Sequence, residues 1–134
     1  MNVGAIISSR IFKGGSGIGG DWSRIRSAGE SISGGGVASG AVRFMDVQDS
    51  CGRVIKSAGK TRRAATMQSL GVWHPDMTEV LKHKYKEEEK ARILITNGSP
   101  GNWESHTIQD LRAQNVNISI RTDDDFWKAY EKDE

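Results

Sequence analysis

Apolar and polar positions alternate informatively only in the central and last parts of this 134-residue chain. In "VRFMDVQDSCGRVIKSAG" (Val42 to Gly59), Phe44, Val47, Cys51, Val54 and Ile55 recur near helical spacing. That spacing predicts an amphipathic helix with those five residues on its buried face. Gly59 would end it, and Lys56 suits its negative C-terminal end. "ATMQSLGVW" (Ala65 to Trp73) sets Met67, Ser69 and Gly71 against Gln68, Leu70 and Val72, a strand pattern. "HPDMTEVLKHKY" (His74 to Tyr85) predicts a second helix with Pro75 in its first position and Met77, Val80 and Leu81 as its buried stripe. Asp76 and Glu79 favour the positive end of its dipole. "KEEEKARILITNG" (Lys86 to Gly98) predicts a third helix, with a Glu88–Arg92 pair on its surface and Asn97-Gly98 as its stop. "VNISIR" (Val116 to Arg121) reads as a half-buried strand, and "TDDDFWKAY" (Thr122 to Tyr130) as a helix capped by Thr122 with three acids behind it. The order is a loop-rich start, helix, strand, two helices, strand, helix, which is an α/β pattern.

Composition sharpens the first half. Residues 1–66 hold ten Lys/Arg against four Asp/Glu, and thirteen of the sixteen glycines. Residues 67–134 hold nine Lys/Arg against thirteen Asp/Glu. The basic half is therefore also the glycine-rich half. Bare backbone amides approach ligands closely, and clusters of them favour anions. No run of about 18 apolar residues could cross a membrane. The start, "MNVGAIISSRIFK", lacks a basic lead and a clear cleavage site, so it is expected to be mature sequence. A single cysteine, Cys51, excludes an internal disulfide and fits a reducing cytoplasm.

Candidate chemistry lies in the glycine-rich and basic stretches. "IKSAGKTRRAAT" (Ile55 to Thr66) carries Lys56, Lys60, Arg62 and Arg63 with no acid among them. It is either a solvated basic turn or a phosphate site in which arginine supplies a fork and lysine a point charge. "GGSGIGG" (Gly14 to Gly20) approaches a dinucleotide fingerprint, but no parallel βαβ unit is expected around it. "GKT" at Gly59 lacks the upstream glycine of a P-loop. His74, His83 and His106 are too scattered for a metal site, and His74 before Pro75 reads as a helix-entry residue. Cys51 reads as a buried, inert thiol. No paired carboxylates or nucleophile–base set stand out. The residues by themselves describe a phosphate binder without visible catalytic machinery.

Several stretches together resemble the large catalytic subunit of ribonucleotide reductase. They are "RIFKGGSGIGGDWSRIRSAGESISGGGVASGAVRFM", "IKSAGKTRRAATM", "HPDMTEVLKHKYKEEEKA" and "QNVNISIRTDDDFW", in the family's order and spacing. The "SGGGVASG" and "KTRRAA" wording is most similar to the adenosylcobalamin-dependent, class II branch. The resemblance covers nearly the whole chain but only an interior slice of the family's ten-stranded α/β barrel. It implies that residues 1–134 form one segment of that barrel, with effector-specificity loops at about 26–41 and 57–64. It implies effector contacts at Lys13, Arg26, Ile32, Ser33, Ser57 and Lys60, and substrate contacts at Ser16, Gly17 and Arg62. The effector would be a deoxynucleoside triphosphate or ATP, and the substrate a ribonucleotide. Adenosylcobalamin would be bound mainly by segments outside this chain.

This sequence departs from the family pattern in what it lacks. The radical-forming cysteine, the redox cysteine pair and the nearby catalytic Asn and Glu fall outside it, so no catalytic residue is assigned. Ala58 stands where the family usually has glycine, which removes a positive-φ option. A split gene is therefore expected, with complementary ribonucleotide reductase polypeptides as partners and no direct role for a membrane or nucleic acid. Two other readings compete: a catalytically inactive nucleotide-binding module, and a basic nucleic-acid-binding domain. Against the last, only Trp22 and Phe44 interleave with the arginines.

Overall fold

A computed structural model describes residues 2–55, 64–102 and 105–133. Its elements are α1 (Asn2–Lys13), β1 (Ile18–Asp21), α2 (Ala41–Val54), β2 (Thr66–Gly71), α3 (Met77–Thr96), α4 (His106–Gln109), β3 (Val116–Arg121) and α5 (Asp124–Lys132). The three strands form one parallel sheet in the order β1-β2-β3. Ile18 pairs with Thr66 and Thr66 with Val116, so the strand starts are level across the sheet. The chain thus runs β-α-β-α-β, the connectivity that parallel strands require. No helix among the described residues is long and apolar enough to cross a membrane.

The helices cover one face of the sheet. Ala41, Val42 and Met45 of α2, Leu70 of β2 and Val80 of α3 are the buried centre, with Trp22, Met77, Ile118 and Ile120 packed against them. On β2, Thr66, Gln68 and Leu70 point into this layer, while Met67 on the other face stays 48% exposed. β3 follows the same rule, with Val116 buried and Ile118 and Ile120 against the core, as its alternation predicts.

Several expectations need correction. The start is not loop-rich: α1 occupies Asn2–Lys13, and it ends in a cap built from the glycines. Gly15 takes φ +79°, its N–H bonds the Phe12 carbonyl at 2.9 Å, and the Ser16 N–H bonds the Ile11 carbonyl at 3.2 Å. This closes the helix with a left-handed residue that glycine tolerates. "GGSGIGG" therefore spells a helix stop and then a strand, and a parallel βαβ unit does follow it.

In α2 the buried residues are Ala41, Val42, Met45, Gln48, Asp49 and Gly52. Val47 and Val54 face outward at 51% and 74% exposure, and Cys51 is half-buried, so the predicted face is rotated. The helix ends at Val54, with Ile55 already extended, rather than at Gly59. α3 is one helix of 20 residues where two were expected. It starts two residues after Pro75 and leaves Leu81 57% exposed. Asn97 and Gly98 (φ +94°) do end it. The cap of α5 is Asp123, whose carboxylate accepts the Phe126 N–H at 2.9 Å, not Thr122.

Candidate functional site

In a parallel sheet the loops divide between two edges. Residues 22–40, 72–76 and 122–123 leave the carboxyl ends of β1, β2 and β3. Residues 14–17, 64–65 and 110–115 lead into their amino ends. α2 connects the two edges and, at 14 residues, spans about 20 Å. Arg26, Ile32 and Ser33 therefore lie at the carboxyl edge, and Lys13, Ser16 and Gly17 at the amino edge. The structure does not bring Lys13 beside Arg26. Ser57, Lys60 and Arg62 lie outside the described residues.

The carboxyl-edge loop is built as a small lobe. Gly29 N–H bonds the Ala38 carbonyl at 3.0 Å, Ala38 N–H bonds Glu30 at 2.7 Å, and Ile32 N–H bonds Gly36 at 3.1 Å. Ser31 and Val37 form an antiparallel bridge across it. Gly35 and Gly36, at φ +89° and +91°, make the turn at its tip, a conformation other residues resist. The side chains of Arg24, Arg26, Ser31, Ile32 and Ser33 are all exposed on this lobe. Arg26 reaches only the Ser31 carbonyl, at 3.4 Å, and neither Arg24 nor Arg26 joins an ion pair among the described residues. Two cations held on a defined lobe without counter-ions suit an anionic ligand.

The base of the lobe is tied down by residues that sequence reasoning read only as a helix start. Asp76 is 6% exposed, and its carboxylate accepts the Ala28 N–H at 3.0 and 3.2 Å and the Ala41 N–H at 2.8 Å. His74 Nδ1 accepts the Asp76 N–H at 3.1 Å, so Nε2 carries the proton and donates to the Ile25 carbonyl at 2.7 Å. The usable signal was a carboxylate beside a proline turn, facing a glycine that cannot cap its own helix. A shallow cleft of about 370 Å³ lies beside this base, lined by Ser23, Trp73, His74, Arg121 and Asp123 among others. Asp21 stands on its rim, bonded to Ser23 Oγ at 2.5 Å and paired with Arg121 at 3.0 Å. The Ser23 bonds hold the Asp21 carboxyl below the usual carboxylate range.

At the amino edge the chain passes very close to itself. A Cβ on Gly17 would lie 2.7 Å from the Ala65 carbonyl oxygen, so only glycine fits there. The Ile18 N–H bonds that same carbonyl at 3.1 Å. Gly17 thus packs against Ala65 at the entry to β2, and Lys13, Ser16 and Gly17 are all exposed. Behind this edge, Asp49 accepts the N–H groups of Ala113 and Asn115, each at 2.9 Å, and ties α2 to the start of β3.

Two further cavities bear on ligand binding. A groove of about 730 Å³ runs along the outer side of α2, lined by Arg43, Asp46, Arg53, Val54, Asp110 and Arg112 among others. Asp46 there bonds His83 at 2.9 Å and Arg112 at 3.1 Å. Burial works to raise the Asp46 carboxyl, but the His83 bond and the charges of His83, Arg112 and Arg43 outweigh it and hold it low. A second cavity of about 160 Å³ lies between α1, α2 and the sheet, lined by uncharged residues. Trp22 Nε1, Thr66 Oγ1 and Gln68 Oε1 belong to residues that line it and have no hydrogen-bond partner among the described residues. With no charge on its walls it offers nothing to a phosphate. Among the described residues no His, Cys, Asp and Glu cluster could hold a metal.

Residues 6–134 match the family model of the ribonucleotide reductase barrel domain. A vitamin B12-dependent ribonucleotide reductase of Rhodopirellula baltica is 48% identical over 130 residues, covering 97% of this chain and 12% of that protein. The Streptomyces coelicolor protein of the same description is 49% identical over 119 residues, covering 89% of this chain and 12% of its own length. A vitamin B12-dependent ribonucleoside-diphosphate reductase of Thermoplasma acidophilum is 34% identical over 125 residues, 92% of this chain and 13% of that one. The chain therefore spans only about an eighth of the length of these relatives.

Proposed function

Because the chain belongs to the ribonucleotide reductase barrel-domain family, we propose that it is the nucleotide-recognition segment of a vitamin B12-dependent ribonucleotide reductase. Its three parallel strands would be part of the family's ten-stranded barrel, and complementary polypeptides would supply the rest together with the catalytic cysteines. The assembled enzyme would reduce ribonucleotides to deoxyribonucleotides by radical chemistry in the cytoplasm. The observation that carries this reading is a pair of cations, Arg24 and Arg26, that join no ion pair among the described residues and stand on a lobe with a fixed base. They favour a nucleotide phosphate there, with Ile32 and Ser33 as neighbours. At the other end of α2, Ser16 and Gly17 would meet the substrate together with Arg62, and Lys13, expected at the effector, stands on this edge. Ser57 and Lys60 would complete the effector contacts from the second loop. Each ligand would bias the other's affinity through the element that joins the two edges.

Adenosylcobalamin, when bound, would start the radical. Among the described residues no cavity fits it. The described surface offers an open groove, a shallow cleft and a small uncharged cavity, none of them a broad cleft roofed on two sides. Cys51 is half-buried on α2 and receives no role.

The test is reconstitution. This chain, combined with the complementary polypeptides and adenosylcobalamin, is expected to form deoxynucleotides with effector-dependent base preference. Arg26→Ala should weaken the effector response about tenfold, the size of one lost charge-assisted hydrogen bond, with the fold intact. Deoxynucleotide formation that needs no contribution from this chain would end the proposal. Binding that collapses with added salt and prefers polynucleotides would favour the basic nucleic-acid reading instead.

A further inference from the structure

We propose that Asp76 is a positioning residue for nucleotide recognition, fixing the 25–41 lobe and the start of α2 on the start of α3. The proposal rests on the reading that this lobe meets a nucleotide.

Two helix beginnings meet at Asp76. α2 begins after Gly40, which has no side chain with which to cap it. Asp76 is the cap residue of α3 but makes no side-chain bond to α3. It directs both oxygens elsewhere, to Ala41 at the first turn of α2 and to Ala28 at the root of the lobe. One carboxylate thus caps a helix that is not its own and lies at the positive ends of two dipoles. Gly40 makes the approach possible: its φ is +83°, and a Cβ there would stand 2.8 Å from Asp76 Oδ2 and 2.7 Å from Ala28 Cβ.

The consequence falls on Arg26. Ile25, just before it, and Ala28, two residues after it, are bonded to His74 and Asp76. The direction in which its guanidinium leaves the backbone is therefore inherited from residues 74–76, which lie some fifty positions later in the chain. Residues 29–38 bond mostly among themselves, so the lobe can tilt as a unit about this base. Loss of the carboxylate would free that tilt, and a misdirected cation would lose ligand affinity without any change in its own chemistry.

A buried carboxylate matters for stability wherever it sits, so the test needs a matched control. Asp49 supplies one: it is 2% exposed and accepts two backbone N–H groups at the opposite end of α2. The 134-residue chain is digested briefly with trypsin, the peptides ending at Arg24 and Arg26 are counted by mass spectrometry, and dATP affinity is measured by calorimetry. Asp76→Asn, which keeps the shape but removes the charge and turns one accepting oxygen into an NH2 donor, should speed cleavage at those arginines at least about fivefold. It should weaken dATP at least about tenfold. Asp49→Asn should lower the thermal midpoint yet leave both readouts within about twofold of wild type. If Asp76→Asn fails to fold, His74→Phe cuts the Ile25 tie and the bond to the Asp76 N–H, leaves the Asp76 carboxylate in place, and should still speed cleavage after Arg24. Unchanged cleavage in the Asp76 or His74 variants, or equal effects in the Asp49 control, overturns the proposal. Wild-type chain that ignores dATP while the cleavage pattern holds would overturn the nucleotide reading and leave the anchoring role supported.

Discussion

Single atoms decide the behaviour of Gly40. Its positive φ and the two contacts under 3 Å that a Cβ would make leave no compliant neighbour, since one of them belongs to a tethered carboxylate. Gly40→Ala is expected to destabilise the chain by about 2–3 kcal/mol, read as a lower urea midpoint at unchanged slope. Asp46 sets a pH dependence. Its carboxyl lies below the ordinary 3.8 in the folded state, burial notwithstanding, because His83, Arg112 and Arg43 favour the charged form. A depressed carboxyl contributes stability that is complete above its unfolded pKa and is lost as pH falls through the folded value. The thermal midpoint should therefore hold from neutral pH down to about pH 5 and fall below about pH 4. Asp46→Asn should flatten part of that acid limb, which circular dichroism melts at several pH values would reveal.

Elements differ in how plainly their residues announce them. β3 was legible because Val116, Ile118 and Ile120 alternate and face the core. The end of α3 was legible because Asn97-Gly98 can adopt what a helix stop demands. The buried face of α2 was not, because two of its core positions are Gln48 and Asp49. Gln48 donates to Ser8 Oγ at 2.6 Å and Asp49 collects two amides, so hydrogen bonds replace apolar burial there and the periodicity is masked. β1 was hidden for the opposite reason: "IGGD" has almost no side chain to show a pattern, and neighbouring pairing alone makes it a strand. On the site, the cations and glycines were readable, but not the tie from Asp76 to Ala28, a contact across 48 positions that no local spacing encodes. Continuous α3 yields a clean contrast between adjacent residues. Val80→Ala, at 1% exposure, should cost about 1.5–2.5 kcal/mol, and Leu81→Gln, at 57%, less than about 0.5 kcal/mol. Denaturant titration of both variants would check this against the predicted stripe that joined them.

At the scale of the whole molecule, the sheet has two open edges among the described residues. β1 and β3 each pair only with β2, so among the described residues both outer strands keep one side free. Such edges template further pairing. The chain alone should sediment as associated species whose size grows with concentration, and complementary barrel polypeptides should return it to a defined complex. Analytical ultracentrifugation with and without those polypeptides would check both halves.

The row order of the uncovered sheet face carries one more consequence. Gly19, Met67 and Asn117 stand in one rank and Asp21, Ser69 and Ser119 in the next, a mostly hydrophilic lining with little grease to offer an arriving neighbour. A strand added at either edge would then recognise this segment by main-chain ladders, rung against rung. Fidelity of that pairing would rest on counting residues correctly, and a one-step slip would turn every group of the added strand to the opposite face.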